Sequence, residues 1–425
     1  MRELFFATTV LFTSILLAPL GIGQIAQADT QVSDTKPKQW RLVWNSNPAT
    51  TATLCWNTTN AGSEHRVFIR QAGSTDQRTV VAQRNAPYTT QDPKLFFHHA
   101  QLKDLLPSTK YHVIMESDGQ ASPEFYFLTA PAEDVPVAIL FGADSRSGQE
   151  ARRKMNRMLA RLLRESQQPE RVPILALAHG GDFVYDGRKL KLWSQWMEDH
   201  ELTVSDDGQL LPIIPSRGNH DGGKMFNEVF AFPPEDKNFY GINLSPQVRL
   251  LTLNTETSLA GDQRNWLDTD LAKSRTKYRW LLAQYHRPAF PAVKVPWLNL
   301  IHWVPLFEKY HLDIACEGDG HNIKRTPPIR DSKFDSQGVV YVGEGGLGVG
   351  QRTPKTNRWY LNSTEAKTGQ GHHVQLLQFG KEQLTCHVVL LGGKIFDKHS
   401  IGVRNTVADK TPPVRIQPAA TASGS

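Results

Sequence analysis

The sequence predicts two domains in tandem, an all-β sandwich followed by an α/β domain, and three observations carry that prediction. At 425 residues the chain is longer than one hydrophobic core usually supports. From residue 39 to 131 apolar and polar residues alternate with a period of two, the pattern of half-buried strands. Beyond a short polar hinge, Ala130 to Val135, apolar strands alternate instead with amphipathic helices, the texture of an α/β domain over 136–400.

The elements follow in chain order. Arg2 precedes an apolar run from Leu4 to Ile22, and Ala26-Gln27-Ala28 forms a small-x-small cleavage pattern. Residues 1–28 therefore read as a signal peptide, with 29–38 as the start of the mature chain and a secreted or periplasmic location expected. Gly21 and Gly23 weigh against a retained membrane anchor, and no later segment has the unbroken apolar length of a membrane-spanning helix. The three cysteines, Cys55, Cys316 and Cys386, allow one disulfide at most and read as small buried residues. The net charge of +6 is spread along the chain, which suits anionic substrates and does not by itself argue for nucleic acid, so small phosphate-ester substrates and no stable nucleic-acid partner are expected. Oligomeric state is not legible.

In the first domain Trp40, Leu42 and Trp44, then Ala52, Leu54 and Trp56, then Val67 and Ile69 mark strands separated by turn-formers. Tyr111, at the entry of a later strand, is placed like the tyrosine corner of immunoglobulin-like sandwiches. His98 and His99 read as surface residues on opposite faces of a strand, without a metal role. In the second domain strands are expected at Val137 to Gly142, Val172 to Ala178, Leu211 to Pro215, Val248 to Asn254, Trp280 to Tyr285 and Leu312 to Cys316. Helices are expected at Glu150 to Ser166, Leu190 to His200 and Trp266 to Ala272. After Ile401 the chain turns polar and small, a flexible tail over 401–425.

Ligands of such domains bind beyond the carboxyl ends of strands, and the polar clusters of this chain sit there. They are Asp144-Ser145-Arg146, Gly181-Asp182-Phe183-Val184-Tyr185, Arg217-Gly218-Asn219-His220-Asp221, Tyr285-His286-Arg287 and Gly318-Asp319-Gly320-His321. Each alone is compatible with a cap, a turn or a hydrogen-bonded structural residue. Together they offer carboxylate, imidazole and amide donors at five strand ends, a set suited to hard or borderline cations and, with a bridging carboxylate, to two of them. The glycine-rich stretch Gly343 to Gly350 lacks the Lys-Ser/Thr ending of a phosphate-binding loop and reads as a tight strand-to-loop passage near the site.

The order Asp, Gly-Asp-x-x-Tyr, Gly-Asn-His-Asp, strand-terminal His and Gly-x-x-His resembles the calcineurin-like metallophosphoesterases, and Tyr185 narrows the resemblance to the purple acid phosphatases. It implies a fibronectin type III-like sandwich ahead of a four-layer, two-sheet αββα catalytic domain. It implies that Asp144, Asp182, Tyr185 and His321 hold one cation, Fe(3+), and that Asp182, Asn219 and His286 hold a second, divalent one (Fe2+, Mn2+ or Zn2+). The implied reaction is hydrolysis of small phosphate monoesters by a metal-bound hydroxide, with His220 as general acid and Arg146 and Arg217 on the phosphate. This chain departs from the family's Gly-His-x-His, because Asp319 stands where the second metal would take a histidine. Either the carboxylate substitutes as a ligand, the favoured reading, or the second site is weak or empty. A phosphodiesterase or nucleotidase, or a metal-poor binding protein, are the alternatives.

Overall fold

The computed structural model describes residues 34–90 and 95–404. The expected signal peptide, the first residues of the mature chain and the tail beyond 404 lie outside the described residues. Among those described, no helix is long and apolar enough to cross a membrane.

Two large sheets organise the chain. The first has ten strands, in the order Ile395–Gly402, Gln383–Leu390, His373–Phe379, Val137–Gly142, Ile174–His179, Ile213–Pro215, Lys38–Val43, Ala52–Thr58, Phe96–Leu102 and Arg84–Pro87. The second has seven, in the order Tyr240–Ser245, Val248–Thr252, Trp280–Tyr285, Ile314–Glu317, Val340–Gly343, Ile323–Arg325 and Lys367–Gly369. Their facing sides form one core: Ile139, Phe141 and Ile214 from the first meet Leu250, Leu282, Ile314 and Val342 from the second. The helices Gln149–Ser166 and Leu190–His200 cover the outer face of the ten-stranded sheet through Leu159, Leu163, Trp193 and Trp196. Asp262–Arg275 and Val304–Lys309 cover the other sheet through Leu267, Leu271, Leu306 and Phe307. The result is the four-layer, two-sheet α/β domain that the resemblance implies, preceded by an all-β domain.

In that all-β domain, Leu42, Leu54 and Trp56 meet Val67, Val113 and Met115 of a separate five-stranded sheet, which closes the sandwich. Tyr111 does form the corner: its hydroxyl accepts the Leu106 amide at 2.9 Å. One feature has no signal in the local pattern. Strand Lys38–Val43 pairs in parallel with Ile213–Pro215 at Val43 and Ile213, so the sandwich and the α/β domain share one hydrogen-bonded sheet. Two exposed edges are removed by that pairing.

The histidines of the sandwich are not at the surface. His98 and His99 are 0% and 3% exposed. His98 stacks on His65 with ring centroids 3.7 Å apart and bonds Thr58 and Asn85, while His99 Nε2 donates to the Glu228 carbonyl at 2.7 Å. A strand sandwiched between a second sheet and the short helix Met225–Val229 has no solvent face, which period-two alternation alone does not reveal. The three cysteines are buried and unpaired. The last strand runs to Gly402, and Arg404 beyond it is anchored on Asp313 at 2.9 Å.

Candidate metal centre

Three parallel neighbours of the first sheet, Val137–Gly142, Ile174–His179 and Ile213–Pro215, release their chains on the same side, toward Asp144, Asp182 and the 217–221 loop. Trp280–Tyr285 and Ile314–Glu317, parallel neighbours of the second sheet, release His286 and Asp319 toward them. The loops are tied together across the two sheets. The Asp319 amide donates to Asp144 Oδ2 at 2.8 Å, the Gly318 amide to the His286 carbonyl at 2.9 Å, and His286 Nδ1 to the Gly180 carbonyl at 2.9 Å.

The turns are tight. Asp144, Asp182, Asp319 and His321 all adopt left-handed backbone, with φ of 62°, 58°, 66° and 59°. Such angles cost energy for residues with a Cβ and persist where the surroundings over-determine them, commonly at functional sites. Close approach fixes one glycine: a Cβ on Gly218 would meet the Asp182 amide nitrogen at 2.2 Å. Gly345, at φ 84°, brings the glycine-rich passage against Asp144, where a Cβ would meet Oδ2 at 2.0 Å.

One ligand atom from each of Asp144, Asp182, His286 and Asp319 lies within 4.8 Å of the others, and all four residues are buried. His321 Nε2 joins them 3.2 Å from Asp144 Oδ1, and His286 Nε2 lies 3.2 Å from Asp182 Oδ1. Five buried atoms here, Asp144 Oδ1, Asp182 Oδ2, Asn219 Oδ1, His286 Nε2 and His321 Nε2, have no hydrogen-bond partner. Unpaired buried polar atoms are costly, and these five oxygens and imidazole nitrogens form a set that could hold a cation, with the equally unpaired Arg146 Nε beside them. The tautomer of His286 agrees, since its Nδ1 proton goes to Gly180 and leaves Nε2 as the ligating nitrogen. Burial opposes charge on His286, but Asp182, Asp144 and Asp319 hold its proton affinity well above the usual value. Burial likewise opposes charge on Asp182, yet His286 and the His220 amide hold its carboxyl below the ordinary range.

A profile of the purple acid phosphatase N-terminal domain matches residues 37–129, and one of the calcineurin-like phosphoesterases matches 152–323. The chain therefore carries a purple acid phosphatase N-terminal domain followed by a calcineurin-like phosphoesterase domain. Purple acid phosphatase 1 of Ipomoea batatas is 23% identical over 382 residues, 79% of this chain and 77% of that protein. An uncharacterised protein of Mycobacterium tuberculosis is 22% identical over 355 residues, 74% of this chain, which spans 64% of that relative's length. Among solved structures, a purple acid phosphatase from yellow lupin seeds superposes with a TM-score of 0.74 at 17% identity, covering 92% of this chain and 78% of that one. The fold is thus that of the purple acid phosphatases.

Set against the family's pattern, the residues divide into those the fold gathers and those it does not. Asp144, Asp182, His286, Asp319 and His321 are gathered, and Asn219 precedes His220, whose amide donates to Asp182 Oδ1. Tyr185 stays at the rim, 60% exposed, its ring between the Arg146 guanidinium at 5.4 Å and the His220 ring at 5.2 Å. Arg146 does reach the centre, with Nε 3.2 Å from Asp182 Oδ2. Arg217 does not present its fork to a phosphate as expected: it donates to the carbonyls of Asp221 and Gly223 and lies 4.8 Å over Phe226, clamping its own loop. His220 Nδ1 donates to the Tyr185 carbonyl at 2.6 Å, leaving Nε2 as the nitrogen that can exchange a proton.

Two functional residues carried no sequence signal of their role. Lys294 pairs with Asp319, its ammonium 2.5 Å from Oδ1. Asp221, read only as a neighbour of His220, accepts the amides of Asp182 (2.8 Å), Gly218 (2.9 Å) and Phe183 (2.9 Å), and more weakly that of Val184. Burial and the charge of Asp182 push its carboxyl up, and the amides oppose them. One buried carboxylate therefore holds the second and third motif loops in register. Asp221→Ala is expected to lower unfolding stability by about 3 kcal/mol, the scale of hydrogen bonds to a buried charge, and to weaken metal uptake. Denaturant unfolding with elemental analysis checks this; unchanged values would assign the loop geometry to other contacts.

Proposed function

We propose that this protein hydrolyses phosphate monoesters at a centre for two cations, held by Asp144, Asp182 and His321 on one side and by Asp182, Asn219, His286 and Asp319 on the other. The observation that carries the reading is that one ligand atom from each of the buried residues Asp144, Asp182, His286 and Asp319 lies within 4.8 Å of the others, with His321 Nε2 3.2 Å from Asp144 Oδ1. Cations bound there supply Lewis-acid activation of water and of the phosphoryl group. The protein supplies the rest. Asp182, with its Oδ1 fixed by the His220 amide at 2.9 Å, would be the carboxylate shared between the two sides. Arg146, beside Asp182 and below the Tyr185 ring, is placed to take a phosphoryl oxygen. His220, with its Nδ1 proton committed to the Tyr185 carbonyl, can deliver a proton from Nε2 to the leaving alkoxide.

Fe(3+) in the first position would require Tyr185, which lies at the rim and is 60% exposed, to turn its phenolate onto Asp144, Asp182 and His321, making that set hard and anionic. The divalent partner is Fe2+, Mn2+ or Zn2+. The N-terminal apolar run and its Ala-Gln-Ala end support export and a secreted or periplasmic location. A specific observation favours a second reading, a centre weak in its second cation, because Asp319 is already paired with Lys294.

The test is hydrolysis of a chromogenic phosphomonoester and a diester by the purified mature chain, before and after chelation, with elemental analysis. Turnover of the monoester that chelation abolishes and added metal restores is the expected result. Turnover unaffected by chelation, or none with any added metal, overturns the proposal; a preference for the diester moves the activity to phosphodiesters.

A further inference from the structure

Cationic side chains are distributed unevenly around the centre. Arg146 faces Asp182 and Lys294 faces Asp319, whereas among the described residues no lysine or arginine pairs with Asp144, whose neighbours are His321 and the Asp319 amide as well as the rest of the cluster. The pairing at Asp319 involves one particular oxygen. Asp319 Oδ1 lies 3.7 Å from His286 Nε2 and 2.5 Å from Lys294 Nζ. The oxygen that would turn to a cation shared with His286 is the one the lysine ammonium holds.

Lys294 is not placed there by chance of a loose loop. The Arg358 guanidinium takes the carbonyls of Pro291, Val293 (3.0 Å) and Lys294. Between them the Ala292 amide donates to Glu344 at 2.9 Å, and its carbonyl accepts the Lys355 amide at 2.7 Å. Glu344 is itself buried and paired with Lys324 at 3.0 Å. The backbone carrying Lys294 is thus pinned on both sides, while its side chain, 36% exposed, keeps a route to solvent.

We propose that Lys294 is a built-in competitor for the second cation: its ammonium meets the charge requirement of Asp319, so the centre takes one cation tightly and a second only when Lys294 leaves Asp319. A metal ion and an ammonium on one carboxylate oxygen repel each other, and the lysine must be displaced before the second position closes. The aspartate at a position where the family has histidine and the lysine opposite it then form one unit: histidine, being neutral, needs no such partner. This inference rests on the reading of the cluster as a cation site.

The test is calorimetric titration of the metal-stripped full-length mature chain with Mn2+, comparing wild type with Lys294→Met and Lys294→Arg. The wild type is expected to show a tight first phase and a second phase weaker by at least about tenfold, the scale of effects exerted by residues that contact metal ligands. Lys294→Met should tighten the second phase about tenfold or more and leave the first unchanged, and Lys294→Arg should behave as wild type. A Lys294→Met isotherm that superposes on the wild type, or two equal phases in the wild type, overturns the competitor role while leaving the cation site standing. No Mn2+ uptake by the wild type overturns both. Circular dichroism monitors folding; should Lys294→Met not fold, Lys294→Gln is titrated in its place with the same two decisive outcomes.

Discussion

Asp182→Asn is expected to lower phosphomonoester hydrolysis by at least about 10³-fold, the cost of removing a charge-stabilising group from a preorganised site. Metal content should fall with it. The substitution is nearly isosteric, and an amide oxygen can still accept the His220 amide that now bonds Asp182 Oδ1 at 2.9 Å. The loop should therefore keep its shape, held also by the Asp221 carboxylate on the Asp182 amide at 2.8 Å. What disappears is the negative charge that faces both His286 and Arg146. Elemental analysis and turnover are measured together with the melting temperature. Near-wild-type turnover at unchanged metal content would remove Asp182 from its bridging role, whereas a collapsed melting temperature would place its contribution in folding.

The second large effect concerns acid. His98, His200 and His373 are buried, and burial lowers their proton affinities from 6.5 to about 3, about 3 and about 4. The sign follows from linkage. Above pH 6.5 all three are neutral in folded and unfolded chains alike and contribute no pH dependence. As pH falls below 6.5 the unfolded chain binds protons that the folded chain refuses, so stability declines until the folded groups titrate near pH 4 to 3. At about 1.4 kcal/mol per pH unit, the loss is roughly 3 kcal/mol per histidine near pH 4.5. Three such groups together approach the 5–15 kcal/mol, roughly, that holds a typical domain folded. Thermal melts from about pH 7.5 to about pH 4.5 should show a steep fall, and His98→Asn should shallow its slope. A melting temperature flat across that range would mean that these imidazoles are not held neutral. A steep fall would mean that fold stability sets a lower pH limit for this protein.

Much of the catalytic domain was legible because its signals are local. The strand Trp280–Tyr285 and the helix Leu190–His200 begin and end where apolar period and breakers place them. Elsewhere the ends drift by a few residues: the helix around Trp266 extends to Asp262–Arg275, because its flanks are polar even where they are buried, as at Gln263, Ser274 and Arg275, and carry no periodic apolar mark. His98 was misread for the opposite reason. A strand covered on both sides can bury polar residues when each finds a partner, here Thr58, Asn85 and the His65 ring.

By itself the sequence determined the chemistry available to this protein and the order in which it is met along the chain. Asp144, Asp182, Asn219, His286, Asp319 and His321 each follow a strand, and in a right-handed α/β arrangement successive strand ends are brought to one edge. Only the tertiary structure decided how those groups are balanced. Asp319 is neutralised by Lys294, 25 positions away; Asp182 is oriented by Asp221, 39 positions away; Arg217 is turned back onto its own loop; and Val43 is stitched to Ile213. Such pairings join side chains or strand edges whose separation along the chain has no period. They are fixed by which loops the packed sheets bring within a few ångströms, and charge, unlike hydrophobic burial, is settled at that last distance.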